Sequence, residues 1–268
     1  MDDLHRDRAL AGSFGSAAWR YHRYRPEYPV DLVADLAALT AGPVLDVGCG
    51  TGKLAVPLRE RGLAVLGVDV DERMASLARG YGVPVEISRF ETWADAGRRF
   101  QLVVSGEAWH WIDPEAGAVK VAQVLVTGGW FARIWIAREV SAEVGAALDE
   151  VYDRVEPELT RMWRLPGGRR TAVDPVVARP EFGSVRELSY RWERTLGAEE
   201  WWGMVSTVSD HLRLSTARRD ALENAVRACL GDSVVVREEA TVLLVSRETA
   251  RSSVSRETPP KSRSVGGP

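Results

Sequence analysis

Apolar positions along the first half of the chain recur with two alternating periods. "PVLDVGC" at 43–49 and "LAVLGVDV" at 63–70 are short runs rich in Val and Leu, as buried strands require. "LAVPLRERG" at 54–62 and "DERMASLARGYG" at 71–82 carry apolar residues at helical spacing and stop on glycine. "PVEIS" at 84–88 and "FQLVVSG" at 100–106 predict two more strands, "DPEAGAVKVAQVL" at 113–125 a helix opened by Asp113-Pro114, and "GGWFARIWI" at 128–136 a fifth strand. Repeated alternation of this kind predicts a parallel sheet with helices on both faces.

Beyond residue 137 the pattern changes. "EVGAALDEVYDRVEPEL" predicts a helix, "RMWRLPGGRRTAVDP" a long loop, and "SVRELSYRW" a strand. "AEEWWGMVSTVSDHL" and "ARRDALENAVRACLG" predict helices and "SVVVREEATVLLVS" a last strand or hairpin. The last two strands are expected antiparallel at one sheet edge. The fold class is therefore α/β, a doubly wound, mostly parallel seven-stranded sheet, with the loop and helices of 138–215 folded over its top.

Composition narrows the classes. At 268 residues, 45% hydrophobic and 27% charged, the chain can bury a sizeable core. A net charge of −3 provides no global basic field for nucleic acid. No stretch approaches the run of about 18 apolar residues of a membrane helix. Two cysteines, Cys49 and Cys229, and no secretory start fit a reducing cytoplasm. Ten Trp residues fit either an aromatic-lined cavity or a Trp-rich core.

The expected layout is a flexible N-terminus over 1–12, one domain over 13–245, and a disordered tail over 246–268. The tail is rich in Ser, Arg and Pro, and carries five Lys or Arg against two Glu. "VSRET" occurs in it twice, at 245–249 and 254–258. A solvated extension, a contact with nucleic acid or membrane, and a trace of a palindromic DNA site in the coding sequence are the readings open for it.

The chemistry centres on "VLDVGCGTG" at 44–52. A strand ending in a glycine-rich turn before a helix offers free N–H groups and the positive end of the helix dipole to a ligand. A triphosphate loop is excluded, because Val47 stands where its first glycine belongs and Leu54 where its Ser or Thr belongs. The dinucleotide pattern is weakened by Lys53 at its third glycine. What remains is G-x-G-x-G after Asp46. A second acidic strand end, Asp69, follows 19 positions beyond Gly50, at the distance where a carboxylate meets ribose hydroxyls.

These residues resemble the class I S-adenosylmethionine-dependent methyltransferases. "SRFETW" at 88–93 resembles the family's adenine-side segment, "FQLVVSGEAWHWID" its fourth-strand motif, and "VAQVLVTGGWFARIWI" its following helix, glycine turn and fifth strand. "YHRYRPEYP" at 21–29 resembles the start of the trans-aconitate methyltransferase-like subgroup. Gln101 and Val126-Thr127 depart from the usual pattern, at positions not expected to touch cofactor.

The resemblance implies a Rossmann-like fold and S-adenosyl-L-methionine as cofactor. It places Arg25, Asp46, Gly48, Gly50, Asp69, Phe90, Glu91 and Ser105 around that cofactor, with Arg25 at its carboxylate and Asp46 at its ammonium. His110, between Trp109 and Trp111 beyond the fourth strand, is the candidate base; its alternative role is to hold the loop backbone. Trp109 and Trp202 are the candidate substrate contacts, although adjacent Trp201 and Trp202 diverge by roughly 100° on a helix, so at most one faces a pocket. Arg161, Arg164, Arg169 and Arg170 form a loop suited to a carboxylate or simply to solvent. Asp113 is expected as a helix cap. No metal ligand set is expected.

The function expected is methyl transfer to a small-molecule acceptor, at oxygen, nitrogen, carbon or a carboxylate, by a monomer or homodimer. A non-catalytic cofactor-binding or regulatory protein and an RNA methyltransferase using the tail are the alternatives. No fourth-strand motif of the Asn-Pro-Pro-Tyr type is present, which favours a small acceptor.

Overall fold

The computed structural model describes residues 4–6, 17–165 and 175–248. Among them the seven strands β1 (Val44–Val47), β2 (Val65–Asp69), β3 (Val85–Ile87), β4 (Phe100–Gly106), β5 (Leu125–Glu139), β6 (Phe182–Gly197) and β7 (Ser233–Arg247) form one sheet. Their order is β3-β2-β1-β4-β5-β7-β6. The first five strands pair in parallel, while β7 runs antiparallel between β5 and β6, as the sequence pattern predicts. The last apolar run is one unbroken strand and not a hairpin.

The strand period divides the core in two. Val44, Leu102, Val104, Ala132 and Ile134 face the helices α2 (Val30–Ala38), α3 (Ala55–Glu60) and α4 (Glu72–Gly80). Leu45, Val47, Val103 and Phe131 face α5 (Pro114–Val124) and the short α7 (Pro175–Ala178). Helix starts follow their caps: the Asp71 side chain accepts from the N–H of Arg73 at 2.9 Å, and that of Asp113 from Ala116 at 2.9 Å.

A third core lies over β6 and β7. There α6 (Ala142–Val155), α8 (Ala198–Val205) and α9 (Thr216–Leu230) pack Leu148, Trp201, Trp202, Met204, Leu222 and Val226 against Leu196, Val234 and Val236. Both Trp201 and Trp202 are buried here, so neither faces a pocket and the substrate role expected of Trp202 is corrected. The helix packs against α9, the strands β6 and β7 and the N-terminal helix Ala18–Tyr24, so its 100° stagger leads into core on either side. Fully buried His211 is fixed between Asp210 Oδ1 at 2.7 Å and the Tyr152 hydroxyl at 2.9 Å.

The N-terminal helix α1 (Ala18–Tyr24) bridges this layer and the sheet. Arg20 donates to Ser206 at 2.8 Å and Tyr24 to Glu199 at 3.0 Å, while His22 Nδ1 lies 3.1 Å from the Thr51 hydroxyl of the glycine turn. At the other end, β7 runs on through Ser246, paired with Trp130, and Arg247, paired with Phe182. The first "VSRET" therefore supplies three residues of strand, which moves the domain boundary past the expected 245. The rest of the tail from 249, most of the N-terminal segment 1–12, and Arg169 and Arg170 lie outside the described residues.

Candidate functional site

In this order the sheet reverses direction of winding between β1 and β4, and ligands of doubly wound folds bind in the crevice outside the carboxyl ends at that switch point. Two joined chambers open there, of about 760 and about 470 Å³ including open solvent. Both are lined by Tyr21, Gly48, Gly50, Gly106 and Glu107, which form their junction.

The first chamber is bounded by Asp69, Asp71 and Met74 on one side and by Phe90, Glu91, Trp111 and Ile112 on the other. Its floor is the glycine turn. Gly48 has φ +68°, and a Cβ there would lie 2.4 Å from the Ala108 Cβ, so both conformation and space demand glycine. Asp69 Oδ2 accepts from the Gly50 N–H at 2.7 Å and Oδ1 from the Asp71 N–H at 2.9 Å. The carboxylate thus ties β2 to the turn while bordering the chamber, and burial raises its pKa. Glu91 accepts from the Asp113 N–H at 3.1 Å and from Arg89 at 3.3 Å. Burial opposes its ionisation, but these donors and its own backbone N–H outweigh that and hold its pKa below the usual range.

The second chamber is lined by Arg25, Pro26, Tyr28, Asp46, Thr51, Lys53, Ile136 and Arg138. Asp46 is 1% exposed, and its Oδ2 has no hydrogen-bond partner. Burial, then repulsion from Asp69, pushes its pKa to about 8, against a hydrogen bond from the Ala55 N–H. An unpartnered buried carboxylate oxygen in a chamber wall is costly unless a cation or donor reaches it. Arg25 is half-buried, donates through Nε to Thr207 at 2.8 Å, and lies 5.2 Å over the Tyr21 ring. Lys53 is paired with Glu27.

Glu107 has φ +55°, a left-handed conformation that favours glycine. It is held by β5: its N–H donates to the Ile134 carbonyl at 2.9 Å, and its Oε1 accepts from the Ile136 N–H at 2.8 Å. Buried Arg138 joins Glu107 at 3.4 Å to Glu238 at 3.2 Å, and Glu238 also takes Arg194 at 2.6 Å. Strain of this kind persists only where surroundings over-determine it, and it concentrates at functional sites. The sequence pattern assigned Glu107 and Arg138 no place in the cleft, because their pairing is set by the register of β5 beside β4, and the hold of Glu238 on Arg138 by β7, a hundred positions further on.

Of the residues expected from sequence, Arg25, Asp46, Gly48, Gly50, Asp69, Phe90 and Glu91 line the two chambers. Ser105 does not: it is fully buried and donates to the Val47 carbonyl at 2.9 Å, joining β4 to β1. It sits one residue before the strand emerges into the cleft, so its position is corrected to the sheet interior. Trp109 is buried against Phe131, with ring centroids 4.7 Å apart, and lines neither chamber. Its place in the substrate set is corrected in the same way.

His110 follows on a single 3₁₀ turn, Trp109–Trp111, open to solvent and outside both chamber walls. The protein packed behind it lowers its pKa, Glu107 opposes this, and Arg25 and Arg133 add to it. Arg161 and Arg164 do not form an open anion receptor. Both pair with Asp149 on α6, at 3.3 and 2.5 Å.

The fold and the paired chambers define a nucleotide-type cofactor cleft on a doubly wound sheet. Residues 21–170 match the model of a methyltransferase domain, and the chain belongs to that family. An uncharacterised methyltransferase of Mycobacterium tuberculosis is 37% identical over 164 residues, 55% of this chain and 65% of that protein. A trans-aconitate 2-methyltransferase of Mycobacterium ulcerans is 34% identical over 118 residues, 43% of this chain and 44% of that protein. The chain thus spans less than two thirds of the length of these relatives. Among solved structures, one from Anaeromyxobacter dehalogenans assigned as a type II methyltransferase superposes with TM-score 0.60 at 22% identity, over 84% of this chain and 98% of that one. This last likeness is one of fold.

Proposed function

We propose that the protein transfers the methyl group of S-adenosyl-L-methionine to a small-molecule acceptor. The observation that carries this reading is Asp46 Oδ2, a buried carboxylate oxygen without a partner in the wall of the second chamber. Beside it stand the glycine turn and one cationic side chain, Arg25, with no carboxylate partner among the described residues. That donor set fits a zwitterionic amino-acid end: the Asp46 carboxylate takes an ammonium and the Arg25 guanidinium a carboxylate. Asp69 and the apolar walls Phe90 and Ile112 suit a ribose and an adenine in the first chamber.

Bound S-adenosylmethionine supplies an electrophilic methyl group on a sulfonium sulfur. The protein's own work is then to orient and to dehydrate. Glu107, clamped by Arg138 and the Ile136 N–H, fixes the edge of the junction. Helix α1 and the segment that follows it cover the second chamber by bonds to the glycine turn and to Thr207, just past the end of α8. A hydroxyl, nitrogen or carbon acceptor needs its proton removed, whereas a carboxylate acceptor needs no base. Similarity to a trans-aconitate 2-methyltransferase supports including carboxylates among the acceptors tested.

Isothermal titration with S-adenosylmethionine, followed by a screen of metabolite extracts with the methyl-labelled cofactor, tests this. Binding with label transferred to a small molecule is expected. Absence of binding by the folded protein overturns the cofactor assignment, and binding without transfer to any small molecule overturns the enzymatic one.

A further inference from the structure

The segment between α1 and α2 holds one side chain whose placement the cofactor reading leaves unused. Pro26 and Pro29 each restrict the residue before them to extended backbone, and Arg25 has φ −69° and ψ 140° accordingly. Tyr28, the other residue fixed in this way, lays its ring against the core around Leu54 and lines the second chamber. Its hydroxyl lies over Gly106, the last residue of β4: a Cβ on Gly106 would stand 2.2 Å from Oη and 2.9 Å from Cζ. Any side chain at 106 would therefore expel the hydroxyl, and Gly106 is one of the five residues that form the junction of the two chambers.

The Tyr28 hydroxyl has no hydrogen-bond partner among the described residues. The hydroxyls of Tyr24, Tyr152 and Tyr190 are each engaged, by Glu199, His211 and Asp35. The hydroxyl is not sealed from solvent, so it is free to exchange water for a polar group that arrives with a ligand.

Building on the cofactor reading above, we infer that the Tyr28 hydroxyl faces the point of methyl transfer and hydrogen-bonds the acceptor's nucleophilic atom there. Burial, followed by the negative charge of Glu107, raises the Tyr28 pKa, so the phenol keeps its proton and no proton is passed to it. It orients by accepting an O–H or N–H of the acceptor, or by donating to its oxygen. Glu107 lines both chambers, Tyr28 lines the second with its hydroxyl against Gly106, and His110 lines neither.

The test requires no knowledge of the acceptor. Sinefungin carries an amine on the carbon that replaces the methylsulfonium, so it presents an N–H donor where S-adenosylhomocysteine presents none. By titration calorimetry, Tyr28→Phe is expected to weaken sinefungin about 10- to 150-fold, the value of one hydrogen bond to a charged group. Its affinity for S-adenosylhomocysteine should stay within about twofold. Gly106→Ala, which displaces the hydroxyl by contact, should shift the ratio the same way, and Tyr24→Phe should not. Equal effects of Tyr28→Phe on both ligands, or none on either, overturn the inference while leaving the cofactor reading standing. Wild-type protein that binds neither ligand overturns the cofactor reading and this one with it.

Discussion

The carboxylate of Asp69 accepts the backbone N–H of Gly50 at 2.7 Å, joining the end of the second strand to the centre of the glycine turn. Asp69 therefore serves two purposes, holding the turn and facing the first chamber, and two substitutions separate them. Asp69→Ala should lower both melting temperature and S-adenosylmethionine affinity, the latter by about 1.5 to 3 kcal/mol. Asp69→Asn keeps an oxygen for only one of the Gly50 and Asp71 N–H groups, so it should melt between Asp69→Ala and wild type while still losing about tenfold in affinity. Calorimetry on both variants checks this; unchanged affinity in either removes Asp69 from the cofactor set.

Asp46 gives the site a pH dependence. Its pKa is pushed to about 8 in the folded protein, from an ordinary carboxylate value, by burial and by Asp69. The folded state therefore binds this proton more tightly than the unfolded state, and the ligand-free protein should lose stability as pH rises from about 4 to 8. Asp46→Asn should remove that loss, so its advantage over wild type in urea should grow with pH across the same window. Cofactor binding runs the other way. An ammonium prefers the ionised carboxylate, so wild-type affinity should rise from pH 6 to 8 with release of close to one proton, seen as a buffer-dependent heat at pH 6.5. A flat affinity, or proton release that persists in Asp46→Asn, would remove Asp46 from that role.

These two sites show what local sequence can carry. The glycine turn and Asp69 lie within one β-α-β unit, so spacing alone placed them together, and the mostly parallel seven-stranded sheet with its last strands antiparallel followed from the alternation of periods and its change beyond residue 137. Ser105 was misplaced by one residue, because which face of a strand's end meets a cleft is set by its neighbours' register and not by its own pattern, and Trp109 was misplaced because it sits on the 3₁₀ turn after the strand, whose inward side packs on Phe131. Arg138 escaped notice because its partner Glu238 lies 100 positions beyond it and reaches it only through the antiparallel edge, and the hold on Glu107 was not legible because it comes from Ile134, Ile136 and Arg138 on the neighbouring strand. Arg25 was legible from its motif, but its hold on Thr207, 182 positions away, was not.

His110 is exposed and outside both chambers. His110→Ala should then leave S-adenosylmethionine affinity within twofold and the melting temperature within a few degrees, and should slow methyl transfer by less than about tenfold. A general base removed from its acceptor costs on the order of 10² to 10⁴ in rate. A loss in that range with affinity intact would restore His110 as the base. Loss of affinity and stability together would show that it holds the loop.

Trp202 is 1% exposed in the core beneath α6 and α9, and its indole N–H has no hydrogen-bond partner. A substrate contact and a core residue respond differently to truncation. As core, Trp202→Ala should cost about 3 to 5 kcal/mol in urea unfolding. Trp202→Phe should cost less than about 2 kcal/mol, since the smaller ring also removes an unsatisfied buried donor. At temperatures where both variants are folded, cofactor affinity should be unchanged within twofold, because the indole lines neither chamber and Thr207, just past the end of α8, is what meets the chamber-lining Arg25. The opposite pattern, wild-type stability with acceptor affinity lost, would put Trp202 in the substrate site after all. Measuring both quantities on the alanine variant therefore decides between the two, and the phenylalanine variant guards against a fold too weak to assay.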